Sequence, residues 1–250
     1  MRVIHIVGRV TIAALLVSTS LTAANAAPTT FFGEDVNGPY NDPNALSSWA
    51  NSNTAKTSFL SNLVGVGTET FDGLAVNTTN PALSFPGAGT ATLTGTGYVG
   101  TGNDGSGRYA ISSPNYYYAG TDNFGVTFGQ PVAAFGFYGI DIGDFGGQLT
   151  LTLTDTSNNT TVLTVPNQVS YDGEISGSVL YYGFYDTTDQ YVSVVFGNNS
   201  GGQDVFGFDN LTVGSIEQVH PTTVPEPASL TMLAASLAGL GVLRQRRRKA

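Results

Sequence analysis

Cysteine is absent from the 250 residues. Disulfide bonds and thiolate chemistry are therefore excluded. Charge is scarce as well: 11% of residues are charged, against roughly 25% in an ordinary soluble domain. Basic residues are scarcer still. They number nine: Arg2, Arg9, Lys56, Arg108, Arg244, Arg246, Arg247, Arg248 and Lys249. Only Lys56 and Arg108 lie between Ala27 and Val224, against 17 acidic residues, a net charge of −15. A domain so negative repels phosphate backbones, which excludes nucleic acid as a partner. It attracts cations, Ca²⁺ among them, and the plainer consequence of its charge is solubility.

Histidine is nearly missing too. Beyond residue 26 only His220 remains, next to Pro221. No HExxH helix, no Cys/His metal cluster, no GxSxG elbow and no GxxxxGK[ST] loop occurs. A Ser-His-Asp triad would require His220 to fold back from the chain's end. The Gly-rich "GTGNDGSG" (100–107) lacks dinucleotide spacing and reads as a turn. Glycosidase chemistry needs only two carboxylates. A glycan-active enzyme thus stays open as a second alternative to the non-enzymatic reading developed below.

What is present is glycine, 32 residues of it, with abundant Thr, Ser, Asn and Tyr. These favour strands and turns. In "GQLTLTLTD" Leu149, Leu151 and Leu153 alternate with Thr150, Thr152 and Thr154, the period of a half-buried strand. "TATLTGTGY" (90–98) repeats this more weakly. Further candidates are "RYAIS", "FGVTF", "AAFGFYGIDI", "TTVLTV", "GSVLYYGFYD", "YVSVVF" and "VFGFDNLTV". Gly, Asn and Asp separate them, and Asp155–Thr160 reads as a hairpin loop. Nine or ten short strands at this spacing predict an all-β fold, an antiparallel β-sandwich of jelly-roll type, with an up-and-down barrel as the alternative. One short N-terminal helix is expected, with Ala55, Phe59 and Leu63 on one face and Leu60 beside them. Asn53 or Thr54 would cap it, and it would plug an edge or end of the sandwich. Trp49 is expected in the core.

Two short apolar runs flank this region. Residues 1–26 read as a secretory signal peptide for signal peptidase: Arg2 and Arg9, then Val10–Ala23, then Ala24-Asn25-Ala26. At the other end stand Pro225-Glu226-Pro227, an apolar run from Ala228 to Leu243, and the basic cluster Arg244, Arg246, Arg247, Arg248 and Lys249. Sixteen helical residues reach about 24 Å, short of a ~30 Å hydrocarbon core. The expected C-terminal hydrophobic helix is thus a marginal anchor whose basic end stays cytoplasmic. The predicted organisation is 1–26 signal peptide, 27–213 β-sandwich, 214–224 spacer and 225–250 sorting segment.

The C-terminal segment resembles the PEP-CTERM sorting signal of Gram-negative bacteria. The residues that carry the likeness are Val224-Pro225-Glu226-Pro227, the apolar stretch and "RQRRRK". The resemblance implies export, transient inner-membrane anchoring, processing by an exosortase near the triplet, and a host that makes exopolysaccharide or biofilm matrix. Glu226 would then be a recognition residue. The middle is similar to an uncharacterised group of such exported proteins, through "FFGEDVNG" (31–38), "SFLSNLVGVGTETFDG" (58–73), "AAFGFYGIDIGDFGGQLTLTLTD" (133–155), "GSVLYYGF" (177–184) and "VFGFDNLTVG" (205–214). No activity comes with that likeness.

Two binding chemistries are expected as candidates. Glu34 and Asp35 near the start and Asp209 and Asn210 near the end would converge on Ca²⁺ if the first and last strands are neighbours. Asp141 and Asp144 form a second cation candidate. Tyr181 and Tyr185 share one strand face across Gly183 and could stack on sugar rings, and Tyr116-Tyr117-Tyr118 offers a similar platform. The expected role is that of a non-enzymatic surface or matrix protein, structural or adhesive. The first alternative is a Ca²⁺-stabilised carbohydrate-binding module.

Overall fold

A computed structural model describes residues 27–38, 44–120, 124–171, 173–200 and 204–221. The elements are β1 (Thr29–Asp35), α1 (Ala50–Leu60), β2 (Gly67–Glu69), β3 (Ala82–Phe85), β4 (Gly89–Thr94), β5 (Gly97–Thr101), β6 (Asn115–Ala119), β7 (Gly125–Val132), β8 (Ala134–Ile140), β9 (Leu149–Asp155), β10 (Thr160–Thr164), β11 (Val179–Tyr185), β12 (Tyr191–Asn198) and β13 (Phe206–Gly214). Signal peptide and sorting segment lie outside the described residues. Among the latter, no helix is long and apolar enough to cross a membrane.

The strands form two antiparallel sheets, ordered β1-β11-β8-β13-β6-β5 and β10-β9-β12-β7-β4-β3, with β2 also on β13. From β6 onward the chain alternates between them, except at the β9–β10 hairpin. The inner order is then β6-β13-β8-β11 in one sheet and β7-β12-β9-β10 in the other. That is the jelly roll the sequence predicts. Strands β1, β2, β3, β4 and β5 widen it.

Burial explains the strand patterns. In β9 the leucines face the other sheet and the threonines face outward. Every residue of β8, β11 and β13 is buried, because both faces of the first sheet are covered. Its inner face joins the main core, where Phe124, Phe137, Phe196 and Phe208 meet at ring distances of 4.7–5.7 Å. Its outer face forms a second cluster with Ala55, Phe59, Tyr138, Val179, Tyr181 and Tyr185. Phe59 rests on a paired Gly183 and Gly136. A Cβ there would come within 2.9 and 2.8 Å of its ring.

Several local expectations change. Helix α1 starts at Ala50, so Asn53 and Thr54 lie inside it. The Asp35 carboxylate caps it instead, accepting from the backbone N–H of Asn51 (3.1 Å) and Ser52 (2.9 Å) and from Ser52 Oγ (2.7 Å). The helix does not plug an edge or end; it lies on the outer face over β1 and β11. Trp49 is half-buried against the outer cluster. "TATLTGTGY" splits into β4 and β5, which belong to different sheets. "RYAIS" is a loop tied down by an Asn103–Tyr109 bridge. Residues 214–220 are not a spacer. Gly214 ends β13, Ile216–Gln218 form a 3₁₀ turn, Val219 bridges Leu63, and the His220 N–H donates to the Asn62 carbonyl.

Candidate functional site

Strands β5 and β6 form one margin of the first sheet, and their outer face carries tyrosines that no helix among the described residues covers. Tyr98 and Tyr118 are directly opposed across the pair. Their rings stack at 4.8 Å with 14° between planes. Tyr98 is 40% exposed and Tyr118 half-buried. On the same face Tyr116 lies over Gly100, where a Cβ would come within 2.9 Å of its Cζ. The missing side chain is what lets that ring lie flat against the strand.

The loop joining the two strands supplies the charge. Arg108 places its guanidinium 5.2 Å from the Tyr118 ring centre. Its Nε donates to Asp104 Oδ2 at 2.8 Å and its Nη1 to Asp141 Oδ2 at 2.9 Å. Asp104 also accepts from the backbone N–H of Ser106 and Arg108. Asp141, at the end of β8, is 1% exposed and accepts from the Gly177 N–H at 2.8 Å. Burial raises the Asp141 pKa, while the Gly177 bond and the nearby guanidinium draw it back. The guanidinium is thus fixed by two carboxylates and stacked on a ring. The result is a flat aromatic surface bordered by oriented donors and acceptors, suited to stacking on a pyranose face and bonding its hydroxyls.

The sequence-predicted sites fare differently. Tyr181 and Tyr185 are 0% and 5% exposed, beneath α1 with Phe59 and Phe31. They cannot meet a glycan, because α1 covers the face they share. Of the Tyr116–Tyr118 platform, Tyr116 is buried at 2% exposure and Tyr117 turns into the main core. Tyr118 joins Tyr98 instead. Glu34 and Asp35 sit on β1, and Asp209 and Asn210 on β13, with β11 and β8 between. Three strand spacings amount to about 14 Å, so the four residues do not converge on one ion.

Each of them has other work. Asp35 caps α1. Glu34 Oε2 accepts from the Gln168 N–H, its Oε1 is buried without a partner, and burial pushes its pKa up to about 7. Asp209 accepts from the Ile111 and Ser112 N–H groups at 2.8 and 3.0 Å and holds the Arg108 loop against β13. Burial pushes its pKa up to about 7 as well. Asn210 (φ 50) lies at the bulge where β13 shifts register against β8. His220 Nε2 lies 2.9 Å from the Glu217 carbonyl. Pro225, Glu226, Pro227, Arg244, Arg246, Arg247, Arg248 and Lys249 lie outside the described residues.

Sequence reasoning missed Tyr98, Arg108 and Asp204. Tyr98 was visible as the end of a weak strand, but its partner lies across a long loop whose register the sequence does not reveal. Asp204 lies in "GNNSGGQD", which reads as an ordinary turn.

Comparison with known proteins adds the sorting route. Residues 223–248 match the PEP-CTERM protein-sorting motif. The chain therefore carries a signal that implies export and exosortase processing. No curated protein matches the chain. Among solved structures, the CBM22-1–GH10 modules of endo-1,4-β-D-xylanase 10B from Clostridium thermocellum, complexed with xylohexaose, align at 12% identity. That alignment covers 64% of this chain and 29% of that one, with a TM-score of 0.33. TmCBM61, in complex with β-1,4-galactotriose, aligns at 16% identity over 50% of this chain and 88% of its own, with a TM-score of 0.25.

Proposed function

We propose that the β-domain is a non-enzymatic adhesive module that holds polysaccharide at the cell surface or in the extracellular matrix of a Gram-negative bacterium. The observation that carries this reading is the stacked pair of exposed Tyr98 and half-buried Tyr118, clamped by Arg108. Uncharged sugars suit a domain whose net charge repels acidic partners. The carboxylates nearest the rings, Asp104 and Asp141, are engaged with Arg108, which favours binding over acid–base chemistry. On this reading signal peptidase removes residues 1–26. The C-terminal run then holds the chain in the inner membrane until an exosortase acts near Pro225-Glu226-Pro227. The domain finally reaches the exopolysaccharide.

A glycan array with the wild-type chain and the Tyr98→Ala and Tyr118→Ala variants tests the binding. Each substitution removes a stacking surface and should weaken retention of a bound polysaccharide about 5- to 100-fold, with circular dichroism unchanged. Absence of any glycan binding by the wild type, or unaltered binding by both variants, would overturn the assignment. Replacing Pro225-Glu226-Pro227 by alanines should leave the chain uncleaved in the membrane fraction. Normal release of that variant would refute the sorting step.

A further inference from the structure

The turn after β8 curls around a carboxylate from the connection between β12 and β13. Asp204, just before β13, is 0% exposed. Its Oδ2 accepts from the Gly143 N–H at 2.8 Å and from Asn198 Nδ2 at 3.1 Å. At Gly147 the chain passes so close to this carboxylate that a Cβ would collide with it and with the Asn198 amide. Asp204 Oδ1 is also buried, yet no donor among the described residues reaches it. Asp144, one residue beyond the Gly143 contact, is 3% exposed. Its own carbonyl accepts from Gly173, which ties the turn to the segment before β11.

The charge balance at this place is poor. Asp141 and Asp144 flank the Gly143 N–H that holds Asp204, and all three acidic side chains are buried. Arg108 is the local cation, and it is committed to Asp104 and Asp141. A buried carboxylate oxygen without a donor destabilises the fold. Two ionised carboxylates would neutralise one divalent cation.

We infer that Asp144 and Asp204 form a binding site for a divalent cation of the hard, oxygen-seeking kind, Ca²⁺, which joins the β8–β9 turn to the start of β13. Asp204 Oδ1 is the waiting ligand. Asp141 is excluded from the shell, since both its oxygens are spent on Arg108 and Gly177. Among the described residues no three acidic or histidine side chains stand together as a ready-made metal cage. The site therefore takes two carboxylates, with carbonyl oxygens and water completing the six to eight ligands that Ca²⁺ uses. The inference is independent of glycan binding. Its placement next to the Asp141–Arg108 pair links the ion to the Arg108 loop.

The test is thermal unfolding of the full chain in CaCl₂ and in EDTA, with calorimetric titration of CaCl₂ into the EDTA-stripped, dialysed protein. At a hundredfold excess over Kd, the ion should raise the folded-to-unfolded ratio about 100-fold and Tm by about 5–10 °C. Asp204→Asn and Asp144→Asn should each lose at least tenfold in Ca²⁺ affinity, while Glu217→Gln, at the opposite end of β13, should keep it. If Asp204→Asn fails to fold in EDTA, Asp144→Asn decides. Identical unfolding of the wild type in Ca²⁺ and EDTA, or undiminished Ca²⁺ affinity in Asp144→Asn, would overturn the inference.

Discussion

At the residue scale, the outer core is built on glycine and closed by an imperfect tyrosine. Phe59 can lie against the first sheet only because Gly136 and Gly183 face each other beneath it. Tyr181 completes that layer, but its hydroxyl is buried with no partner among the described residues. Tyr181→Phe removes the orphaned group and leaves the ring, so it should stabilise the chain by about 1–3 kcal/mol in urea unfolding. A loss of stability would mean that the hydroxyl has a partner. Asp209 and Glu34 each contribute a pH dependence. Both carboxyls titrate near 7 in the folded chain because burial disfavours their charge, against about 4 when unfolded. Between those values the folded state holds protons that the unfolded state has released. Stability is therefore highest below about pH 4 and falls as pH rises through 7, as far as these two groups decide it. Asp209→Asn should flatten that slope in unfolding curves recorded from pH 4.5 to 8.

At the scale of elements, α1 depends on a residue outside itself. Its N-terminal N–H groups are satisfied by Asp35 of β1, so the cap also fastens the helix to the sheet. Asp35→Ala should cost about 1–2 kcal/mol by chemical denaturation, and amide exchange should rise first over Ala50–Leu60. Exchange unchanged in the helix would show that packing of Phe59 alone holds it. This cap was hidden from the sequence. Local caps lie within a few residues, and Asp35 lies 16 residues before Asn51. The strands were more legible. Alternation marked β9, and a long apolar run marked β8. The similar run of β11 could not say what covers its second face, so Tyr181 and Tyr185 read as exposed. Periodicity reports which residues share a face; it does not report which face meets solvent. Strand β6 was read only as a tyrosine platform, and "RYAIS" had a strand's composition while its backbone follows the Arg108 loop.

At the scale of the whole molecule, the jelly roll was readable because short strands with polar turns admit few closed arrangements of this length. The partnership of distant segments was not. Glu34 and Asp209 would meet if first and last strands were neighbours, but β1 was added outside β11. Placing β13 centrally also fixes a polarity. Strand β13 begins beside Asp204 and beside Tyr118, which pairs with Gly207. It ends at Gly214, where the 3₁₀ turn and His220 are fastened to Asn62 and Val64. The two poles are roughly 20 Å apart along the strand. The chain leaves the fold toward its sorting motif from one pole, and the tyrosine surface and the acidic turn occupy the other. On the function proposed above, a domain moored by its tail would present the tyrosine surface outboard. Capture of polymer would then precede cutting of the mooring line, and cleavage would release an already laden protein.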